Sequence, residues 1–94
     1  MAVLSDAEIE ERLGQVPRWR RGEGAEIVLE LELDSFAAAI ALVERVAEAA
    51  EAANHHPDIL VHGWNKLRLT LSTHSAGGLT DADFALARQI ELLV

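Results

Sequence analysis

The segment Glu26-Ile27-Val28-Leu29-Glu30-Leu31-Glu32-Leu33 constrains the fold more than any other stretch of this chain. On an extended backbone, Ile27, Leu29, Leu31 and Leu33 fall on one side and Glu26, Glu30 and Glu32 on the other. That period of two belongs to a strand with one buried face and one mostly wet face. The pattern returns at Leu67, Leu69 and Leu71, which alternate with Lys66, Arg68, Thr70 and Ser72. Two amphipathic strands need partners. A short strand near Trp19, ahead of a turn at Gly22–Gly24, supplies one. An irregular or edge strand over 58–64, interrupted by Gly63, supplies the other. Hairpin links between neighbours imply an antiparallel sheet.

Three helices fit around these strands. Ser5 and Glu8 have the spacing of a capping box, with Leu4 and Ile9 as its hydrophobic staple, so a short helix is expected over roughly 6–13, ending at Gly14 ahead of Pro17. Asp34 or Ser35 caps a second helix over about 35–53, whose core stripe reads as Phe36, Ile40, Val43, Ala47 and Ala50. It ends near Asn54, because His55, His56 and Pro57 follow and Pro57 disfavours helical geometry at His56. Thr80 caps the last helix, with Asp83 at the reciprocal position, Leu79 facing Phe84, and Leu86, Ile90 and Leu93 buried. The order is α-β-β-α-β-β-α. The fold class is α+β, a two-layer sandwich of a four-stranded antiparallel sheet with helices packed on one face. The 94 residues suit a single domain over 1–94.

Composition excludes several functions. There are 16 acidic and 8 basic residues, a formal net charge of -8, so direct nucleic-acid binding and attachment to anionic membranes are disfavoured. Arg18, Arg20 and Arg21 form the nearest thing to a basic patch and read as a solvated edge. No cysteine is present, which removes disulfides, iron–sulfur clusters and thiol chemistry and fits a cytoplasmic location. No apolar run is long enough to span a bilayer.

The chemistry-bearing residues are histidines. His55 and His56 follow a helix end, and His74 follows the last strand, while His62 reads as exposed. Imidazole donates or accepts a proton near neutral pH, and a helix C-terminus favours its charged form. Glu51 lies four residues before His55, in range to orient that ring. A metal site is the lesser alternative, since the adjacent pair lacks the i,i+4 spacing of a helical dihistidine clasp. Semi-exposed polar residues at loop junctions are the plain alternative.

Glu51, His55, His56, Pro57, Trp64, the Thr73-His74 pair and Asp83, with the Gly77-Gly78-Leu79-Thr80 loop, together resemble the pterin-4a-carbinolamine dehydratase family. The resemblance covers nearly the whole chain, including Trp19. It implies a hydro-lyase that removes water from 4a-hydroxytetrahydrobiopterin, leaving quinonoid dihydropterin for recycling. It implies no metal and no cofactor, the pterin being the substrate, and a homodimer or homotetramer. His55, His56 and His74 become the catalytic set. His74 acts as general acid on the hydroxyl, and His55 or His56 takes the N5 proton. Glu51, Pro57, Trp64 and Asp83 become supporting residues: Glu51 orients His55, Pro57 stiffens the bend, Trp64 forms a cleft wall and Asp83 completes the Thr80 cap. Trp64 stands where tyrosine is commoner in the family, Ile59 replaces a frequent tryptophan, and Ser75 a frequent acidic residue. The alternative is a non-catalytic member of the fold serving as an assembly or regulatory module, against which the retained histidines argue.

Overall fold

The computed structural model describes residues 2–94. Helix α1 (Asp6–Leu13) is followed by strands β1 (Trp19–Arg21) and β2 (Ile27–Glu32), helix α2 (Phe36–Ala53), strands β3 (Asp58–His62) and β4 (Lys66–Leu71), a short 3-10 turn (His74–Ala76) and helix α3 (Asp81–Glu91). The four strands form one sheet in the order β1-β2-β4-β3, and every neighbouring pair is antiparallel. This is the α+β arrangement that the two alternating segments require.

Register sorts the side chains. Leu29 stands opposite both Trp19 and Leu69, and Leu31 opposite Leu67, so the apolar members of three strands share a face. On that face Ile27, Leu29, Leu67, Leu69 and Leu71 pack with Ile9, Leu42, Val46, Phe84, Leu86 and Ile90 in one core. The other face carries charge. Glu30 bridges Arg20 at 3.2 Å and Arg68 at 3.5 Å. Val28 also points to that face, yet it is fully buried, because the turn after β1 folds over it. A Cβ on Gly22 would lie 2.6 Å from the Val28 side chain, so this close approach needs glycine. The three arginines around β1 are each paired, Arg18 with Glu91, Arg20 with Glu30 and Arg21 with Asp6.

All three helix starts carry side-chain caps. Ser5 and Glu8 form a complete capping box, as do Thr80 and Asp83, and Ser35 accepts from Ala38 N at 3.0 Å. The hydrogen bonds from Ser5 hold the Glu8 carboxyl below its ordinary value.

The stripe of α2 departs from the sequence expectation. The buried residues are Ala39, Leu42, Val46 and Ala50, while Phe36 is 56% exposed and Ala47 is also exposed. Both stripes have helical spacing, because α2 is apolar around most of its circumference. Periodicity alone cannot rank two apolar stripes. The sheet takes the one whose small residue Ala39 lets the helix come close. Ala39→Leu should therefore cost about 1–3 kcal/mol through overpacking, and Phe84→Ala about 3–5 kcal/mol, both read as shifts of the urea midpoint.

Candidate active site

The C-terminus of α2 aims the histidine segment. Asn54 adopts the left-handed conformation, with φ 50° and ψ 44°. Its N–H donates to Glu51 O, and the N–H of His55 donates to Ala50 O at 3.1 Å. These two bonds form a Schellman motif, with Asn in the place glycine usually takes. The chain turns sharply out of the helix and Pro57 keeps it extended into β3.

The sheet then decides what this segment meets. Asp58 is opposite Thr70 in the β3–β4 ladder. The antiparallel sense therefore carries residues 55–57 back toward the end of β4, where Ser72, Thr73 and His74 lie. Thr73 is tied to Gly78 by a backbone bridge, Thr73 N donating to Gly78 O at 3.1 Å. Gly77, with φ 75°, makes the tight return that brings Leu79 and Thr80 to the start of α3.

At the junction sits Asp83, fully buried. Its Oδ2 accepts from Thr80 N at 2.9 Å and from the Thr73 hydroxyl at 2.8 Å. Its Oδ1 meets His55 Nε2 at 2.6 Å. An ionised carboxylate only accepts, so opposite one this ring nitrogen is the donor. The Thr73 and Thr80 hydroxyl oxygens are 2.8 Å apart and buried. One carboxylate thus joins the histidine segment, the end of β4 and the cap of α3.

His55 and His56 diverge, as neighbours on an extended backbone do. His55 turns inward to Asp83, its side chain 15% exposed. His56 turns outward and its Nε2 meets Glu51 Oε2 at 2.5 Å, with both side chains largely exposed. The expected pairing of Glu51 with His55 is therefore corrected: Glu51 holds His56, and Asp83 holds His55. The spacing of four assumed that the helix persists to His55, whereas the Asn54 turn ends it and swings the next ring away. Asp83 does complete the Thr80 cap, but it also binds His55, a contact between residues 28 apart that spacing could not reveal.

His74 is exposed at the start of the 3-10 turn, its Nε2 3.4 Å from the Ser72 hydroxyl. It lines a groove of about 290 Å³ with Ala25, Glu26, Ser72, Thr73, Gly77 and Gly78, and Thr73 links this groove to the Asp83 network. Trp64 lies elsewhere, in the β3–β4 connection at the opposite end of β3 from Pro57, 64% exposed and with φ 61°. The structure does not bring it to the histidines. Trp19, by contrast, is buried in the core, and its indole N–H has no partner among the described residues. Among the described residues, no group of three or more His, Asp or Glu side chains is arranged to hold a metal ion. No helix there is long and apolar enough to cross a membrane.

The family model for pterin 4 alpha carbinolamine dehydratase matches residues 2–93. The chain belongs to the pterin 4 alpha carbinolamine dehydratase family. It is 56% identical over 93 residues to a protein of Roseiflexus castenholzii provisionally named pterin-4-alpha-carbinolamine dehydratase, covering 99% of this chain and 98% of that one. The crystal structure of a transcriptional coactivator/pterin dehydratase from Brucella melitensis superposes with a TM-score of 0.91 at 28% identity, over 98% of both chains. A pterin dehydratase-like protein described as a RuBisCO assembly factor in the alpha-carboxysome shares the fold, with a TM-score of 0.65 at 23% identity over 80% of this chain and 87% of that one. The family's chemistry is a hydro-lyase dehydration, which matches a site furnished with imidazoles and carboxylates.

The two carboxylate–histidine pairs should differ sharply in energetic weight. Asp83→Ala leaves His55 and both threonines without their acceptor and should cost about 3–5 kcal/mol. Glu51→Ala removes an exposed pair and should cost no more than about 1 kcal/mol. Urea denaturation of the two variants checks the contrast.

Proposed function

We propose that this protein dehydrates 4a-hydroxytetrahydrobiopterin, or a close pterin-4a-carbinolamine, to the quinonoid dihydropterin, with His55, His56 and His74 as its catalytic set. The reaction breaks the C4a–O bond, moves the N5 proton to a base and forms the C4a=N5 bond. The departing hydroxyl takes up a proton and leaves as water, so no electrons are exchanged and no cofactor is consumed.

The single observation that carries this reading is the buried Asp83–His55 pair. An imidazole oriented by a buried carboxylate is equipped to accept a proton, since the carboxylate stabilises the imidazolium that results. His55 is therefore the base for the N5 proton. His74, open to the groove beside Thr73, is the general acid for the hydroxyl. His56, paired with the exposed Glu51, flanks the same bend and contributes to binding the substrate's polar edge. Pro57 and Asp83 act through geometry.

The purified protein should accelerate the breakdown of freshly generated 4a-hydroxytetrahydrobiopterin. His55→Ala and His74→Ala should each lower kcat by roughly 10²–10⁴, and His56→Ala should act more on KM. A folded wild type without acceleration would reject the dehydratase reading in favour of an assembly or regulatory module.

The protein acts as a homodimer or homotetramer. Two apolar surfaces support this. Edge strand β3 exposes Ile59 and Leu60 beside Trp64, and α2 exposes the stripe containing Phe36 and Ala47. Exposed edges and apolar patches favour self-association. Mass measurement in solution should give two or four chains, and a monomer at every concentration would refute it.

A further inference from the structure

Thr73 and Thr80 have hydroxyls inside the Asp83 network that the proposed dehydration does not use. Their proton directions are determined. Thr80 Oγ1 accepts the backbone N–H of Ala82 at 3.2 Å and that of Asp83 in the capping box. Its lone pairs are thereby committed, and its own proton goes to Thr73 Oγ1, 2.8 Å away. The Thr73 proton then points to Asp83 Oδ2, which also receives the N–H of Thr80. Oδ1 is left for His55 Nε2 alone. His55 Nδ1 makes no hydrogen bond with the described residues, and it is not among the buried atoms lacking a partner, so it is open to solvent.

We propose that the buried Thr73–Thr80 hydroxyl pair positions Asp83 so that His55 is held with its proton on Nε2, leaving Nδ1 as the atom that faces the substrate and takes the proton. Both threonines are positioning residues. The backbone N–H groups of Ala82 and Asp83 on Thr80 Oγ1 anchor the system, because they donate only and cannot rotate. The chain of donors from them through the two hydroxyls to Asp83 admits one direction. The assignment of Nδ1 as base rests on the dehydratase reading, but the tautomer does not.

The test reads the ring nitrogens of His55 by nitrogen NMR of the ¹⁵N-histidine-labelled full chain without substrate. Neutral His55 should carry its proton on Nε2. A proton on Nδ1 in the wild type overturns the proposal. Asp83→Asn supplies the sharper measurement. Thr80 N–H and the Thr73 hydroxyl demand the amide oxygen, which turns the amide NH₂ toward His55. His55 must then accept through Nε2 and move its proton to Nδ1. A folded Asp83→Asn protein that keeps the proton on Nε2 refutes the directional network. If that variant does not fold, Thr73→Val and Thr73→Ser carry the test. Thr73→Val should keep the Nε2–H tautomer, because the carboxylate still only accepts, but should lower kcat roughly tenfold with KM changed less than about twofold, as expected of a fraction of a general-base contribution. Thr73→Ser should restore kcat. A folded Thr73→Val with undiminished kcat overturns the role of the hydroxyl pair. Correct tautomers in a protein with no dehydratase activity would sink the function and leave the network standing.

Discussion

A buried carboxylate with three donors aimed at it is the constraint on which the rest of this protein turns. Asp83 sits in the first turn of α3, yet its oxygens bind the cap of that helix, the residue preceding His74 and the ring of His55. Burying an ionised group is costly unless every lone-pair direction is met. Each donor is therefore held in place by the others. Moving the β4 end, the α3 cap or the α2 exit would leave a charge or a donor unsatisfied in the interior. The same contacts that join three elements thus position the ring proposed as the base, so stability and the proposed function share atoms at this point.

The sheet explains why such a junction is possible. With β4 in the centre between β2 and β3, the end of β4 lies beside the start of β3. The histidine segment leads into β3, and the Thr73-His74 pair leads out of β4. Antiparallel pairing makes these two ends coincide, although their residues are separated by nearly the whole hairpin. The far end of that hairpin, with Gly63 and Trp64, points away. The hairpin therefore differs at its two ends, with the candidate histidines at one and a solvent-exposed aromatic at the other. Trp64 combines a left-handed backbone with high exposure, a costly setting for a bulky residue.

The two histidines of the bend show how a local rule becomes a functional distinction. Adjacent residues on extended backbone face opposite ways. One ring is taken into the Asp83 network and the other is left with Glu51 at the surface. Their shared sequence neighbourhood conceals different environments. An exposed pair is weakened by water and salt, whereas the nearly enclosed pair is screened much less.

Sequence by itself determined the strands, the caps and the family. Alternation at Ile27–Leu33 and Leu67–Leu71, the boxes at Ser5–Glu8 and Thr80–Asp83, and the stop at Asn54 are all written in local spacing, and local spacing is what short-range sterics and hydrogen bonds read. The family match came from residue types at set intervals, and His55, His56 and His74 were legible as acid–base candidates for the same reason. Tertiary structure alone decided which stripe of α2 is buried, which carboxylate serves which histidine, and that Trp64 stands apart. Those outcomes depend on contacts between segments far apart in the chain. The reach from Asp83 to His55 exists only once the sheet register has brought the end of β4 beside the exit of α2, and no periodicity within either segment encodes it.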